Sequence, residues 1–216
     1  MIAGRLAASL AGKRKRFEAP APMLAMVTNL AAGREVFTSN AFLVTGERTV
    51  LVDPGNDFDA AAAVREHVDA LDAVVLTHTH PDHIGNAPGV VEAFDADVWG
   101  FDPDHEFVDH AVADGETVRL GDHEYTALHT PGHKDDHLCF YAAEPGVLFA
   151  GDLVFAGGSF GRTDLPEGDR GVLVESIESV LEAVGDSLAA MHTGHGPSVT
   201  DDPDSHVEAA LRAARR

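Results

Sequence analysis

A chain of 216 residues with 44% hydrophobic content can bury one sizeable core and fits a single α/β domain. Its formal charge of -21 reflects an excess of acid, mostly aspartate, with Lys13, Lys15 and Lys134 as the only lysines. That field repels nucleic acid, the lone Cys139 excludes an intrachain disulfide, and no apolar run is long enough to span a membrane.

Residues 1–20 are read as a basic, flexible extension carrying Lys13-Arg14-Lys15-Arg16, and residues 21–216 as the domain. The first residues lack the order of a secretory signal, so the cytoplasm is the expected location. Strands are predicted near Leu24–Leu30, Ala41–Val44 and Val50–Asp53, followed by a helix near Phe58–Val68. Asp53, before Pro54-Gly55, reads equally as a turn former or as a group orienting a ligand. A strand at Ala73–Thr77 comes next, then a helix near Ile84–Phe94. Further strands are predicted near Val98–Gly100, Glu116–Arg119, Tyr125–His129, Leu138–Ala142, Val147–Ala150 and Ala189–His192. Helices are predicted at Gly171–Val184 and Ser205–Ala214. The glycine-bearing stretch Phe155–Arg170 is too long for a mere connection. Hydrated acidic side chains with little lysine point to a halophilic source. Stability is therefore expected to rise from low to molar salt, where repulsion is screened. Equal unfolding midpoints in both would count against that reading.

The chemistry concentrates in Thr77-His78-Thr79-His80-Pro81-Asp82-His83. Neutral imidazole and carboxylate suit zinc and other first-row divalent metals. In an extended segment His78 and His80 point the same way and can grip one ion. Asp82 and His83, past the Pro81 turn, are left for a second. Other candidates lie in glycine-bearing turns after apolar runs: His133, Asp152 and His195. His67, His105, His110, His123 and His206 read as surface residues. His129 and His192 read as core or as neighbours of ligands, and His137 as a strand-face residue.

These seven residues, in this order, resemble the metallo-β-lactamase-fold superfamily, and Gly161-Arg162-Thr163-Asp164-Leu165-Pro166 resembles an element of its glyoxalase II-like and persulfide dioxygenase-like branch. The resemblance implies a four-layer αββα sandwich, two mixed β-sheets flanked by helices, with metals at one edge. It also implies that His78, His80 and His133 hold one ion, that Asp82, His83 and His195 hold another, and that Asp152 bridges them. Two departures stand out. The helical extension of glyoxalase II has no counterpart, because the chain ends soon after His195, and Lys134-Asp135-Asp136-His137 replaces small neutral residues.

The expected activity is that of a dinuclear zinc hydrolase acting on a small thioester or ester, with iron(II) or a mixed pair as the alternative load. Asp82 is assigned a second role, orienting the attacking water. Arg162 is the candidate contact for an anionic substrate, weighed evenly against an ion pair with Asp164. A mononuclear iron persulfide dioxygenase using His78, His133 and Asp152 is one alternative. A nuclease or phosphodiesterase, suggested by Asp135-Asp136-His137, is another. The expected partner is a small molecule, with no nucleic acid and no membrane, and the assembly a monomer or homodimer.

Overall fold

The computed structural model describes residues 26–185 and 187–216, so the proposed extension and its basic run lie outside the described residues. The apolar runs pair into two mixed sheets. The first holds β1 (Met26–Asn29), β2 (Phe42–Thr45), β3 (Val50–Val52), β4 (Ala73–Val75), β5 (Asp97–Gly100) and β6 (His110–Ala111), in that order. It is antiparallel through β3 and parallel from there on. The second holds β7 (Thr117–Leu120), β8 (His123–His129), β9 (Leu138–Ala142), β10 (Val147–Gly151) and β11 (Ala190–Thr193). Only β10 and β11 run parallel there.

Period-two alternation in these strands makes the layers. Phe42, Val44, Val50 and Val52 face inward onto Tyr125, Leu138, Phe140 and Phe149 of the other sheet. Their neighbours Leu43, Leu51 and Val74 face outward onto α1 (Ala60–Arg65) and α3 (Ala87–Phe94), through Ala63, Val64 and Val90. On the far side Cys139, Tyr141 and Leu148 meet Leu173, Ile177 and Val180 of α4 (Arg170–Val184) and Val207 and Ala210 of α5 (Pro203–Ala214). Strands buried on both faces explain why they read as continuous apolar runs. Each fully buried Leu or Phe in these clusters is worth about 1.5–3 kcal/mol of apolar transfer. The result is the expected αββα sandwich.

Two predicted helices and one strand differ from the sequence reading. The helix foreseen at Ile84–Phe94 is two, α2 (Pro81–Ile84) and α3, because Asn86 is drawn off by the Pro54-Gly55 turn. Its N–H donates to Gly55 O (2.9 Å) and its Nδ2 to Pro54 O (3.1 Å). The helix foreseen at Phe58–Val68 shrinks to α1, begun by an Asp59 side chain that accepts from Ala62 N (2.8 Å). Strand β6, only two residues long, carried no periodic signal.

Parallel strands bring their C-terminal ends to one edge. Asp53 follows β3, Thr77 and His78 follow β4, Asp152 follows β10 and His195 follows β11. The turn joining β8 to β9 reaches the same edge, where Leu138 N–H donates to Thr77 O (2.7 Å) and joins the two sheets.

His192 sits in the inter-sheet interior instead, its ring centroid 5.0 Å from those of Phe42 and Phe149. Burial lowers its pKa to about 4. The unfolded chain therefore takes up a proton below about pH 6.5 that the folded chain refuses until about pH 4. Stability is full above that window and falls through it on acidification, by an amount on the order of 2 kcal/mol. Denaturation of His192→Gln between pH 7 and 4 checks this, and its acid loss is expected to be smaller than that of the parent chain.

Candidate metal centre

All seven metal-ligand candidates from the sequence converge at this edge. The inner nitrogens of His78 (Nε2) and His133 (Nε2) each lie 3.0 Å from His80 Nδ1. Asp82 Oδ2 is 3.1 Å from His195 Nε2, and Asp152 Oδ2 is 3.4 Å from the same atom and 3.5 Å from His133 Nε2. Asp152 Oδ1 lies 3.4 Å from His83 Nε2. Three ligand groups fall within binding reach of a cation: His78/His80/His133, His78/His83/Asp152 and Asp82/His83/His195.

The groups behind these rings decide which nitrogen is bare. His133 Nδ1 faces the Arg162 carbonyl (2.8 Å), which only accepts, so Nδ1 carries the hydrogen. His80 Nε2 donates to Glu167 Oε1 (3.0 Å), and His83 Nδ1 to Asp53 Oδ2 (2.8 Å). The Thr77 hydroxyl donates to Asp53 Oδ2 (2.7 Å) and so accepts from His78 Nδ1 (3.1 Å). In every case the nitrogen facing the centre is the one left for a cation or a proton. The inward nitrogens of His78, His80 and His133 aim lone pairs at one another and cannot satisfy each other by hydrogen bonds. His83 Nε2 and Asp152 Oδ1 are buried without a hydrogen-bond partner among the described residues. This donor set fits divalent cations.

Charge follows the same geometry. Burial holds His78 and His133 below the usual imidazole range. Burial would also lower His83, but Asp152 and Asp53 outweigh it and lift the group to about 10. At His195 burial is likewise overcome, by Asp152 and Asp82, to about 9. Burial would raise Asp152, yet His83 and His195 hold it well below the ordinary carboxylate value.

Close packing leaves little freedom here. A Cβ on Gly194 would collide with Asp152 Oδ1, so the turn before His195 has room only for glycine. At Gly132, φ is +121° and a Cβ would strike the backbone of Leu173.

Other residues fall elsewhere. His137 is buried and braces rather than lines the centre: its Nε2 accepts from Asp152 N–H (3.0 Å) and its Nδ1 bonds Thr130 Oγ1 (2.8 Å). His129 stacks on Phe101 at 3.9 Å. His67 and His110 are exposed, whereas His105, His123 and His206 are half-buried rather than on the open surface. Asp53 proves to be more than a turn former, since Thr77 N–H also donates to its Oδ1 (2.8 Å). Arg162 lines the cleft over the centre, but its fork is engaged by Asp164 at 2.8 and 2.9 Å. The cleft holds about 500 Å³, and Phe37, Phe155, Phe160 and Leu165 supply its apolar walls.

A model of the metallo-beta-lactamase superfamily matches residues 34–195. The chain belongs to that superfamily. Hydroxyacylglutathione hydrolase GloC of Haemophilus influenzae is 29% identical over 76% of this chain and 88% of its own length. The hydroxyacylglutathione hydrolase of Salmonella paratyphi B is 34% identical over 65% of this chain, a match spanning 55% of that protein. Among solved structures, TTHA1623 in a di-iron-bound form is similar with a TM-score of 0.67 and 30% identity, over 87% of this chain and 96% of that one.

Within this metallo-beta-lactamase superfamily chain, sequence reasoning missed Glu167 altogether. It lies one residue past the Gly161–Pro166 element, and nothing in its neighbours marks it. Its carboxylate fixes the His80 ring. Glu167→Ala is expected to weaken metal binding about ten-fold, with Glu167→Gln retaining part of it, as measured by competition with a chromogenic chelator.

Proposed function

We propose that the chain is a metal-dependent hydrolase of a small thioester or ester, in the manner of hydroxyacylglutathione hydrolases. The observation that carries this reading is the inward-facing set of bare imidazole nitrogens around Asp152. His78, His80 and His133 would hold one cation and Asp82, His83 and His195 a second, and Asp152, within 3.5 Å of His83, His133 and His195, would serve either set. Two zinc ions are the proposed load, with iron or a mixed pair as the alternative. Bound metal supplies Lewis acidity that acidifies a water and polarises a carbonyl.

The chain's own groups bind, orient and exclude water. Burial would raise Asp82, but His195 and His83 keep it below its ordinary value and ionised, so it accepts a hydrogen bond from the attacking water and aims it. Phe37, Phe155 and Phe160 take the apolar part of the substrate. Arg162 stands as an anion contact only if the anion displaces Asp164. Kinship with GloC supports the thioester class. The test pairs elemental analysis of protein purified without added metal with a panel of thioesters. Turnover that disappears on chelation is expected, and no cleavage of any thioester by the zinc-loaded protein would end the reading.

A second reading is a mononuclear iron persulfide dioxygenase using His78, His133 and Asp152; that a relative 30% identical is found in a di-iron-bound form supports iron as a load, not the one-iron count. Stoichiometric iron with oxygen uptake on a persulfide would replace the hydrolase. The nuclease reading loses its motif: Asp136 is held by Thr79 (2.5 Å) and Lys134 (3.2 Å), and His137 by Asp152 and Thr130. A small-molecule partner, a monomer or homodimer, and a cytoplasmic location complete the proposal. None of the described helices is long and apolar enough to cross a membrane.

A further inference from the structure

We infer that Arg34 determines specificity by receiving a carboxylate on the substrate, in a groove beside the metal cleft; the inference rests on the thioester-hydrolase reading. The groove encloses about 420 Å³ and adjoins the cleft at His195, which lines both. Its other walls are the turn after β1, with Arg34, Val36 and Asn40, and Gly196-Pro197.

That turn is fastened to the candidate metal centre. Ser39 N–H donates to Asp82 O (3.0 Å) and Asn40 N–H to Gly194 O (2.7 Å). The Asn40 amide also bonds Thr193 O (2.7 Å) and Gly196 O (2.8 Å). Arg34 therefore has a fixed place relative to the ligands on α2 and after β11.

Arg34 itself is prearranged. Its Nε donates to Leu30 O (2.9 Å), and its guanidinium carbon lies 4.4 Å from the centroid of the Phe58 ring. Among the described residues no carboxylate pairs with it, and its terminal nitrogens have no partner. The other cations around the cleft are engaged: Arg162 with Asp164, and Lys134 with Asp135 (3.3 Å) and Asp136 (3.2 Å). On a chain with a formal charge of -21, an uncommitted guanidinium next to the reaction centre is where an anion meets attraction instead of repulsion. A planar fork matches a carboxylate in two parallel hydrogen bonds. Val36, 44% exposed, lines the groove and its neighbour Phe37, 67% exposed, lines the cleft. A substrate that spans both spaces presents its scissile bond at the centre, an apolar link at Phe37 and a carboxylate at Arg34.

Non-hydrolysable thioether analogues test this without turnover. Three are compared by calorimetry on the metal-loaded full chain: one neutral, one with a carboxylate on the acyl arm, one with it on the thiol arm. One acidic analogue is expected to bind at least about ten-fold tighter than the neutral one, and which one shows the arm that reaches the groove. Arg34→Gln is expected to erase that advantage and Arg34→Lys, which keeps charge without the fork, to keep part of it. Equal binding of all three analogues, or an advantage that survives Arg34→Gln, overturns the inference. Because binding alone is read, the role of Arg34 is decided even if the chain hydrolyses no thioester.

Discussion

Asp152→Ala is expected to cut hydrolysis by more than about 100-fold, beyond the range seen when only an outer partner of a ligand is removed. The same change is expected to lower bound metal below one ion per chain. The reason is positional. Among the described residues Asp152 is the one carboxylate that approaches His83, His133 and His195 together, at 3.4, 3.5 and 3.4 Å. Removing it leaves both proposed ligand sets short by one oxygen, and leaves four imidazole nitrogens without the negative charge that offsets two cations. Asp152→Asn keeps the shape but halves the oxygens, and it is expected to fall between the two. Elemental analysis after gel filtration, run beside steady-state kinetics, checks both. Full metal occupancy with normal turnover in Asp152→Ala would remove the residue from the site.

A second large effect is expected at Asp53, which lies outside the ligand sets. Its two oxygens take hydrogen bonds from Thr77 N–H, the Thr77 hydroxyl and His83 Nδ1, all buried. Asp53→Ala strands those donors away from water, at about 1–3 kcal/mol for each one left unsatisfied. It also frees the His83 and His78 rings to turn, so metal affinity is expected to fall 10- to 100-fold, the usual consequence of losing an outer partner. The backbone of Asp53 is left-handed, with φ 51°, a conformation that asparagine tolerates well. Asp53→Asn thus separates chemistry from backbone strain: it restores one acceptor, so it should unfold later in urea than the alanine variant yet still bind metal weakly. Equal stability and metal affinity in the alanine variant and the parent would show that these hydrogen bonds do nothing for the centre.

How far the sequence reaches depends on the kind of signal. The strands were legible because residues such as Leu138–Ala142 and Val147–Gly151 are buried on both faces and read as unbroken apolar runs. The ligand candidates were legible because His78, His80, Asp82 and His83 crowd into one loop, and glycines mark the turns that bring His133 and His195. Strand runs early and late, each followed by helices, fit two sheets flanked by helices, and the resemblance implied the αββα sandwich; periodicity gives strands and not their order. What stayed hidden is tertiary. Nothing local says that Asn86 will be captured by the Pro54-Gly55 turn and break a helix, or that Glu167 will meet His80 across 87 positions. Asp53 was ambiguous for the same reason: a turn aspartate and a brace look alike until the strand beside it is known. Arg162 illustrates the converse, a side chain whose availability depended wholly on whether its near neighbour Asp164 claimed it.

The amide-to-carbonyl links from Leu138 to Thr77 and from Asn40 to Gly194 tie the wall bearing His78, His80 and His83 to the wall bearing Asp152 and His195. The spacing between the two halves is therefore set by how the interior stacks together with the turns that carry these links. A change in the bulk of Phe42 or Phe149, neither of them a proposed ligand, would tilt one wall against the other and retune the centre.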